Sequence, residues 1–210
     1  FVPIAITYER LVEEGAMIDE LEGGKKVKES TLGLLRARKY LQRRFGSVFV
    51  SFGEPISLAE AIGDRRAAFA ASETPETEAA KRAFVSDLAH RIAERINWCT
   101  VVNSTSVAAC ALLGGTRRGL FRTELPGRMR EVIELLRLQD VRLTPALERD
   151  RGDFREAINF LLRSELVRVM QDPRGEILYF EEPQRRALDF YRNSILHYLV
   201  AASFLARALL

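Results

Sequence analysis

Residues 2–8 form an unbroken apolar, β-branched run, the pattern of a strand buried on both faces in a parallel sheet. Residues 11–21 carry apolar groups at helix-like spacings and stop at Gly23-Gly24. A charged connection over 25–29 follows, and Ser30 or Thr31 caps a helix predicted over 32–45, which Gly46 ends. Residues 47–52 alternate Val48 and Val50 against Phe49, a second short strand closed by Gly53-Glu54-Pro55. Ser57, with Glu60 three residues on, makes a capping box for a short helix. Strand, helix, strand, helix in this order predicts one edge of an α/β layer. Two strands do not make a stable sheet alone, so the expectation is that further strands lie outside this chain.

Residues 64–78 change character, with charges, Ala and the turn-forming Ser72, Thr74 and Pro75 in place of large apolar groups. They are the best candidate for a linker or surface loop. Beyond them the pattern is mainly helical. Ala80, Phe84, Leu88, Ile92 and Ile96 make one stripe at four-residue steps in a helix predicted over 76–97. Further helices are predicted over 104–113, over 123–138 with a cap-like Thr123, and over 153–165. Two β-like stretches at 167–170 and 177–180 flank a turn at 171–175. One long helix is predicted from about Glu182 to the end. The division expected is an α/β portion over 1–66, a linker or surface loop over 67–80, and a helical domain over 81–210.

Composition narrows the class. With 210 residues, 47% hydrophobic and 29% charged, the chain has the balance of a globular protein with a sizeable core. Lys and Arg number 32 against 29 Asp and Glu, an excess too small to imply a nucleic-acid partner. The two cysteines, Cys99 and Cys110, exclude a disulfide scaffold and a four-thiolate zinc site. The opening Phe1-Val2-Pro3 has no basic leader and reads as the inside of a strand. The mainly apolar residues 195–210 are too few to span a bilayer, which needs roughly 20. They read as a packed or membrane-surface helix.

Candidate chemistry is sparse. His90 sits beside Arg91, with Asp87 and Glu94 a turn away, on what reads as a solvated helix face. His197, with Asn193 one turn earlier, reads as a partly buried packing histidine. No local triad emerges. Cys99 and Cys110 share a face if one helix spans both, and read as close-packing groups. The run 114–119, Gly-Gly-Thr-Arg-Arg-Gly, lacks a preceding strand and a P-loop lysine, so it reads as a loop ending a helix. Arg36, Arg38, Lys39, Arg43 and Arg44 form a basic helix face, either simply solvated or drawn to anionic lipid headgroups or a phosphorylated ligand. Helix, loop, helix and a hairpin with a Pro-Arg-Gly tip, from 123 onward, follow the order of a winged helix. Glu148, Asp150, Asp153 and Glu156 interleave with Arg151, Arg155 and Arg163 there, which weakens any phosphate-tracking surface.

Several blocks resemble one family. Residues 2–10, Val-Pro-Ile-Ala-Ile-Thr-Tyr-Glu-Arg, resemble the fourth conserved block of glycerol-3-phosphate acyltransferases, the large membrane-associated bacterial enzymes and their mitochondrial relatives. Glu20-Leu21 and Lys28-Glu29-Ser30 follow at that family's spacing. Residues 50–56, Val-Ser-Phe-Gly-Glu-Pro-Ile, resemble the strand-and-turn ending shared by glycerolipid acyltransferases. Arg95-Ile96-Asn97 resembles the family's mid-region, and Tyr191-Arg192-Asn193 with His197 its C-terminal signature.

The resemblance implies transfer of a fatty acyl group from acyl-CoA or acyl carrier protein to the 1-hydroxyl of glycerol 3-phosphate, giving lysophosphatidic acid, the first step of phospholipid synthesis. In that family a His with an Asp five residues on provides the base and its orienter. Here Arg95 follows His90 at that spacing and Ala202 follows His197, so no catalytic residue is assigned in this chain and the pair is expected upstream. The resemblance gives Val2, Pro3, Ile4 and Tyr8 a substrate-binding role toward the acyl donor. Val2 and Ile4 read equally well as plain core groups of a strand. Tyr191, Arg192, Asn193 and His197 are expected to make interdomain or helix-packing contacts. No metal or cofactor is expected. The expected partners are both substrates, an anionic membrane surface on the cytoplasmic side of the cell membrane, and the upstream portion of the same protein, without nucleic acid. The competing reading is a non-enzymatic helical or winged-helix interaction module, including a nucleic-acid-binding one.

Overall fold

The computed structural model describes residues 1–11, 20, 23, 46–71, 74–149, 152 and 154–209. The helix predicted over 32–45 lies outside the described residues. So do its basic face (Arg36, Arg38, Lys39, Arg43, Arg44), most of the helix predicted over 11–21, and Lys28-Glu29-Ser30. The chain divides into two compact units, one of Phe1–Ile6 and Phe49–Val101, the other of Thr7–Val48 and Val102–Leu210.

Strands β1 (Ile4–Tyr8) and β2 (Val48–Phe52) pair as a two-stranded sheet, with Ile4–Ile6 and Phe49–Phe52 in the first unit and Thr7, Tyr8 and Val48 in the second. The pairing is antiparallel, because Gly53, just after β2, donates to the Pro3 carbonyl before β1 at 2.8 Å while Glu9, just after β1, donates to that of Ser47, just before β2. This corrects the expectation of a parallel-type strand buried on both faces. Ala5 and Thr7 are buried, but Val2, Ile4, Ile6 and Tyr8 are exposed. The alternation is that of a sheet covered on one side only.

Helix α1 (Leu58–Ile62) follows, capped as predicted by the Ser57 hydroxyl accepting from Glu60 N–H at 3.3 Å. The stretch read as linker is largely helical. It contains α2 (Arg65–Ala71), and α3 (Pro75–Trp98) begins within it, capped by Thr74 with Pro75 in its first turn. The Ala-rich composition that suggested a loop is also good helix-forming material. Of the predicted α3 stripe, Phe84 and Leu88 are buried and Ile92 is half-buried, whereas Ala80 and Ile96 are exposed. The small core joins Ile56, Phe84 and Leu88 with Phe69, whose ring lies 5.9 Å from that of Phe84. The guanidinium of Arg65 sits 4.9 Å from the Phe84 ring centre, a cation–π contact.

The second unit centres on α4 (Ser104–Leu113), in which every residue from Thr105 to Leu112 is buried. Small residues (Ser, Ala, Cys) let neighbouring helices approach it closely. The unit continues through β3 (Gly119–Phe121), α5 (Leu125–Arg137), α6 (Pro145–Arg149) and α7 (Arg155–Arg163), then β4 (Arg168–Asp172), β5 (Gly175–Tyr179), α8 (Glu182–Asn193) and α9 (Leu196–Ala208). The three strands form an antiparallel sheet in the order β3-β5-β4, with Leu120 opposite Leu178 and Val169 opposite Leu178 on its other side. Leu125, Met129, Leu136, Leu161, Leu178 and Leu188 are among the side chains sealed in the core.

Three expectations are corrected here, and two short elements are new. The N-cap of α5 is Glu124 rather than Thr123, with Pro126 in the first turn. The short β3 and α6 are not among the predicted elements, although Thr144-Pro145 repeats the Thr-Pro start found at α3. The terminal helix is two helices, broken at Ser194-Ile195, where Ile195 is fully buried. Cys99 caps the end of α3 while Cys110 lies within α4, so no single helix spans both.

Candidate functional site

The substrate strand expected from the sequence is β1 with the residues leading into it. The register places Ile4 across from Phe52 and Ile6 across from Val50, all four on the open face of the sheet. Ile4 is 44% exposed and Phe52 62%. Tyr8, opposite Val48, continues that face. Val2 is also exposed, whereas Pro3 is buried. Gly53 explains the close fit around Pro3. A Cβ there would stand 3.3 Å from Pro3 Cβ and 3.5 Å from both the Arg95 carbonyl and Cys99 Cβ. Arg95, from the mid-region block, reaches back to the Glu54 carbonyl at 3.1 Å and to its carboxylate at 3.4 Å. The strand-and-turn block and the mid-region block therefore meet in one place.

Within the second unit, which takes in the chain from Thr7, buried polar groups hold the segment that ends β1. Asn103 is 0% exposed. Its Oδ1 caps α4 by accepting from Ser106 N–H at 2.9 Å, and its Nδ2 donates to the Tyr8 carbonyl at 2.8 Å. Leu11 N–H donates to the Tyr191 hydroxyl at 3.1 Å. The Ser194 hydroxyl donates to the Tyr191 carbonyl at 2.7 Å and lies 3.0 Å from the Ser106 hydroxyl. Between these anchors, Glu9 accepts from Ser47 N–H on its carboxylate at 2.8 Å. Tyr191 thus makes a structural contact, a hydrogen bond within the second unit to Leu11, the residue after the fourth block. Sequence reasoning missed Asn103. The pattern Asn103-x-x-Ser106 before an apolar helix is an N-cap signal, but nothing local points its other end at Tyr8.

The remaining candidates fall where expected or carry no chemistry. His90 is exposed; His197 is half-buried with its ring 4.0 Å from that of Tyr198. Cys110 is buried, and burial pushes its thiol up to about 11, with Arg192 opposing the shift. It is a packing group rather than a nucleophile. No group of His, Cys, Asp and Glu able to hold a metal ion occurs among the described residues. A cleft of about 700 Å³ opens between the end of α4, β3 and the β4–β5 hairpin, with Leu120, Phe121 and Ile177 beside Arg117, Arg118, Arg128 and Arg174. Its charges are mixed. Arg118 pairs with Glu182, Arg174 pairs with Asp172, and Glu124 and Glu181 also line it.

Comparison with known proteins agrees with the residue blocks. The family model described as the glycerol-3-phosphate acyltransferase C-terminal region matches residues 17–210. A glycerol-3-phosphate acyltransferase of Pseudomonas fluorescens is 32% identical over 208 residues, and one of Pseudomonas savastanoi pv. phaseolicola is 33% identical over 215. One of Ectopseudomonas mendocina is 31% identical over 210. In each case the match takes in 98% of this chain and 25% of the relative, so the chain spans about a quarter of the length of the curated relatives it matches. The chain belongs to the glycerol-3-phosphate acyltransferase C-terminal region family.

Proposed function

We propose that the protein carrying this chain transfers a fatty acyl group from acyl-CoA or acyl carrier protein to glycerol 3-phosphate, giving lysophosphatidic acid, and that this chain completes the catalytic domain without supplying the reacting groups. The hydroxyl oxygen bonds to the thioester carbonyl carbon, the carbon–sulfur bond breaks, and the proton passes through a histidine base to the leaving thiolate. That base and its aspartate belong to a segment preceding Phe1.

The observation that carries the reading is the bare apolar face of β1 and β2, where Ile4 and Phe52, and Ile6 and Val50, stand exposed as cross-strand pairs. A contiguous apolar patch of this kind is costly in water unless something covers it. The proposed cover is the upstream portion of the same protein together with the acyl chain of the donor. Val2, Pro3, Ile4 and Tyr8 are the residues assigned to the donor, with Pro3 shaping the strand from within and the other three facing outward. In this division, residues 1–66 complete the catalytic domain, 67–80 connect, and 81–210 form the helical domain.

The second unit is read as a winged-helix-like packing module. Supporting this are the order helix, strand, helices, hairpin from α4 to β5 and the strand order β3-β5-β4. Cations of the three-stranded sheet are engaged by acids, Arg122, just after β3, with Glu176 at 2.7 Å and Arg168 with Glu181 at 2.7 Å, which speaks against a phosphate-tracking surface. Attachment to the cytoplasmic face of the cell membrane is peripheral in this reading. Leu196, Val200 and Phe204 at four-residue steps, with Leu205 and Leu209, give α9 an exposed apolar surface. No helix among the described residues is long and apolar enough to cross a membrane.

The test compares two proteins in vesicles containing phosphatidylglycerol. The full-length protein is expected to acylate glycerol 3-phosphate and the 210-residue chain to be inert. Turnover by the chain alone would place the reacting groups within it and overturn the reading.

A further inference from the structure

The end of β1 is held by a closed circuit. Tyr8 is bonded through its carbonyl to Asn103, whose other end caps α4 at Ser106; the Ser106 and Ser194 hydroxyls are 3.0 Å apart; Ser194 bonds the Tyr191 carbonyl; and the Tyr191 hydroxyl returns to Leu11, three residues beyond Tyr8. Asn103 and Tyr191, 0% and 2% exposed, are the two members that touch the 8–11 segment itself. A buried carboxamide with its acceptor and its donor both used has one productive orientation, so α4 and the backbone at Tyr8 are set by the same side chain. The tyrosine hydroxyl fixes the other end of a four-residue stretch to α8.

We infer that Asn103 and Tyr191 are positioning residues, which place the Tyr8–Leu11 segment for the acyl donor without touching the donor themselves. The inference rests on the reading in which β1 serves the donor. It gives the helical unit a task in catalysis. Two helices far along the chain determine where the strand's last side chain points, and a hydrogen-bonding error in either is felt as a misplaced donor site.

The test uses the full-length protein in phosphatidylglycerol-containing vesicles. Tyr191→Phe removes one oxygen and leaves the ring packed. It is expected to raise KM for the acyl donor about threefold to tenfold, the worth of one buried hydrogen bond, with KM for glycerol 3-phosphate unchanged within about twofold. Asn103→Asp keeps the cap acceptor but opposes a carboxylate to the Tyr8 carbonyl. It is expected to raise the same KM at about pH 8 and to recover toward wild type by about pH 6, where a protonated buried carboxyl donates in place of the amide. A merely structural role moves both KM values together or only the yield of folded protein, without that pH recovery, and would overturn the inference. Ile4→Ala separates the two levels. A donor-KM shift with Ile4→Ala but none with the circuit variants overturns the inference and leaves the role of β1 standing. No shift with Ile4→Ala overturns that role itself.

Discussion

The buried hydroxyl of Tyr191 accepts the backbone N–H of Leu11 across 180 residues of chain, at 3.1 Å. Two blocks that the sequence places near opposite ends are thereby adjacent in the second unit. Tyr191 sits in α8 with its ring 5.4 Å from that of Phe190, edge to face, so the ring is seated by packing and the hydroxyl by the hydrogen bond.

Asn103 should be the costliest single loss in this region. Replacing it with Ala strips the cap from Ser106 N–H and leaves the Tyr8 carbonyl without its amide donor. The expected destabilisation is about 2–4 kcal/mol, a cap plus an unsatisfied buried acceptor, against about 1 kcal/mol for Tyr191→Phe. Urea unfolding midpoints check the ranking.

Gly46 is required for two reasons. Its φ of +77° lies in the left-handed region, and a Cβ would strike the carboxylate of Glu9. That carboxylate also accepts from Ser47 N–H. Gly46→Ala is expected to cost about 1–2 kcal/mol, whereas Gly23→Ala, also at positive φ but with no described residue within 4 Å of an added Cβ, should cost only the backbone part. Thermal melts of the two variants side by side measure the difference.

Thr144 offers a stabilising change. Its hydroxyl is fully buried and has no hydrogen-bond partner among the described residues. Thr144→Val preserves shape and removes the unmet polar group, with an expected gain of about 1 kcal/mol. A fall in the unfolding midpoint would mean that the hydroxyl is satisfied after all.

The β4–β5 hairpin carries an acid-sensitive element. Hydrogen bonds from Arg122 and then Gln171 hold the Glu176 carboxyl below its ordinary value, and the backbone and side chain of Arg174 do the same for Asp172. Both values are lowered on folding, so their stabilisation is present above the unfolded carboxylate range and is lost as pH falls through the lowered values. Glu176→Gln should flatten that part of the stability–pH curve by lowering stability at neutral pH and leaving the acid end nearly unchanged. Chemical unfolding between about pH 6 and about pH 2 follows it.

Much of the secondary structure was legible because it is local chemistry. Ser57 before Glu60 caps a helix whatever the rest of the chain does, and the hairpin turn before Gly175 needs only its own residues, whereas Thr74-Pro75, read as part of a linker, starts α3. The failures have tertiary causes. Ser194 and Ile195 break the last helix because Ile195 is drawn fully into the core, a pull that no local spacing records. The strand β3 exists only because β5 supplies its partner. The alternation of β1 was hidden because both faces of residues 2–8 are apolar in sequence, and periodicity cannot tell a covered face from an open one.

The order and type of most elements, the family blocks and the absence of a His-Asp pair at the family's spacing follow from the amino-acid sequence alone, since each is a matter of neighbours a few residues apart. Which face of β1 stays open, and that Asn103 and Tyr191 close on the segment after it, was decided by the tertiary structure. The reason is physical. A buried amide or hydroxyl takes whatever partner the packed helices bring within hydrogen-bonding distance, and that partner lies 95 residues from Asn103 and 180 from Tyr191.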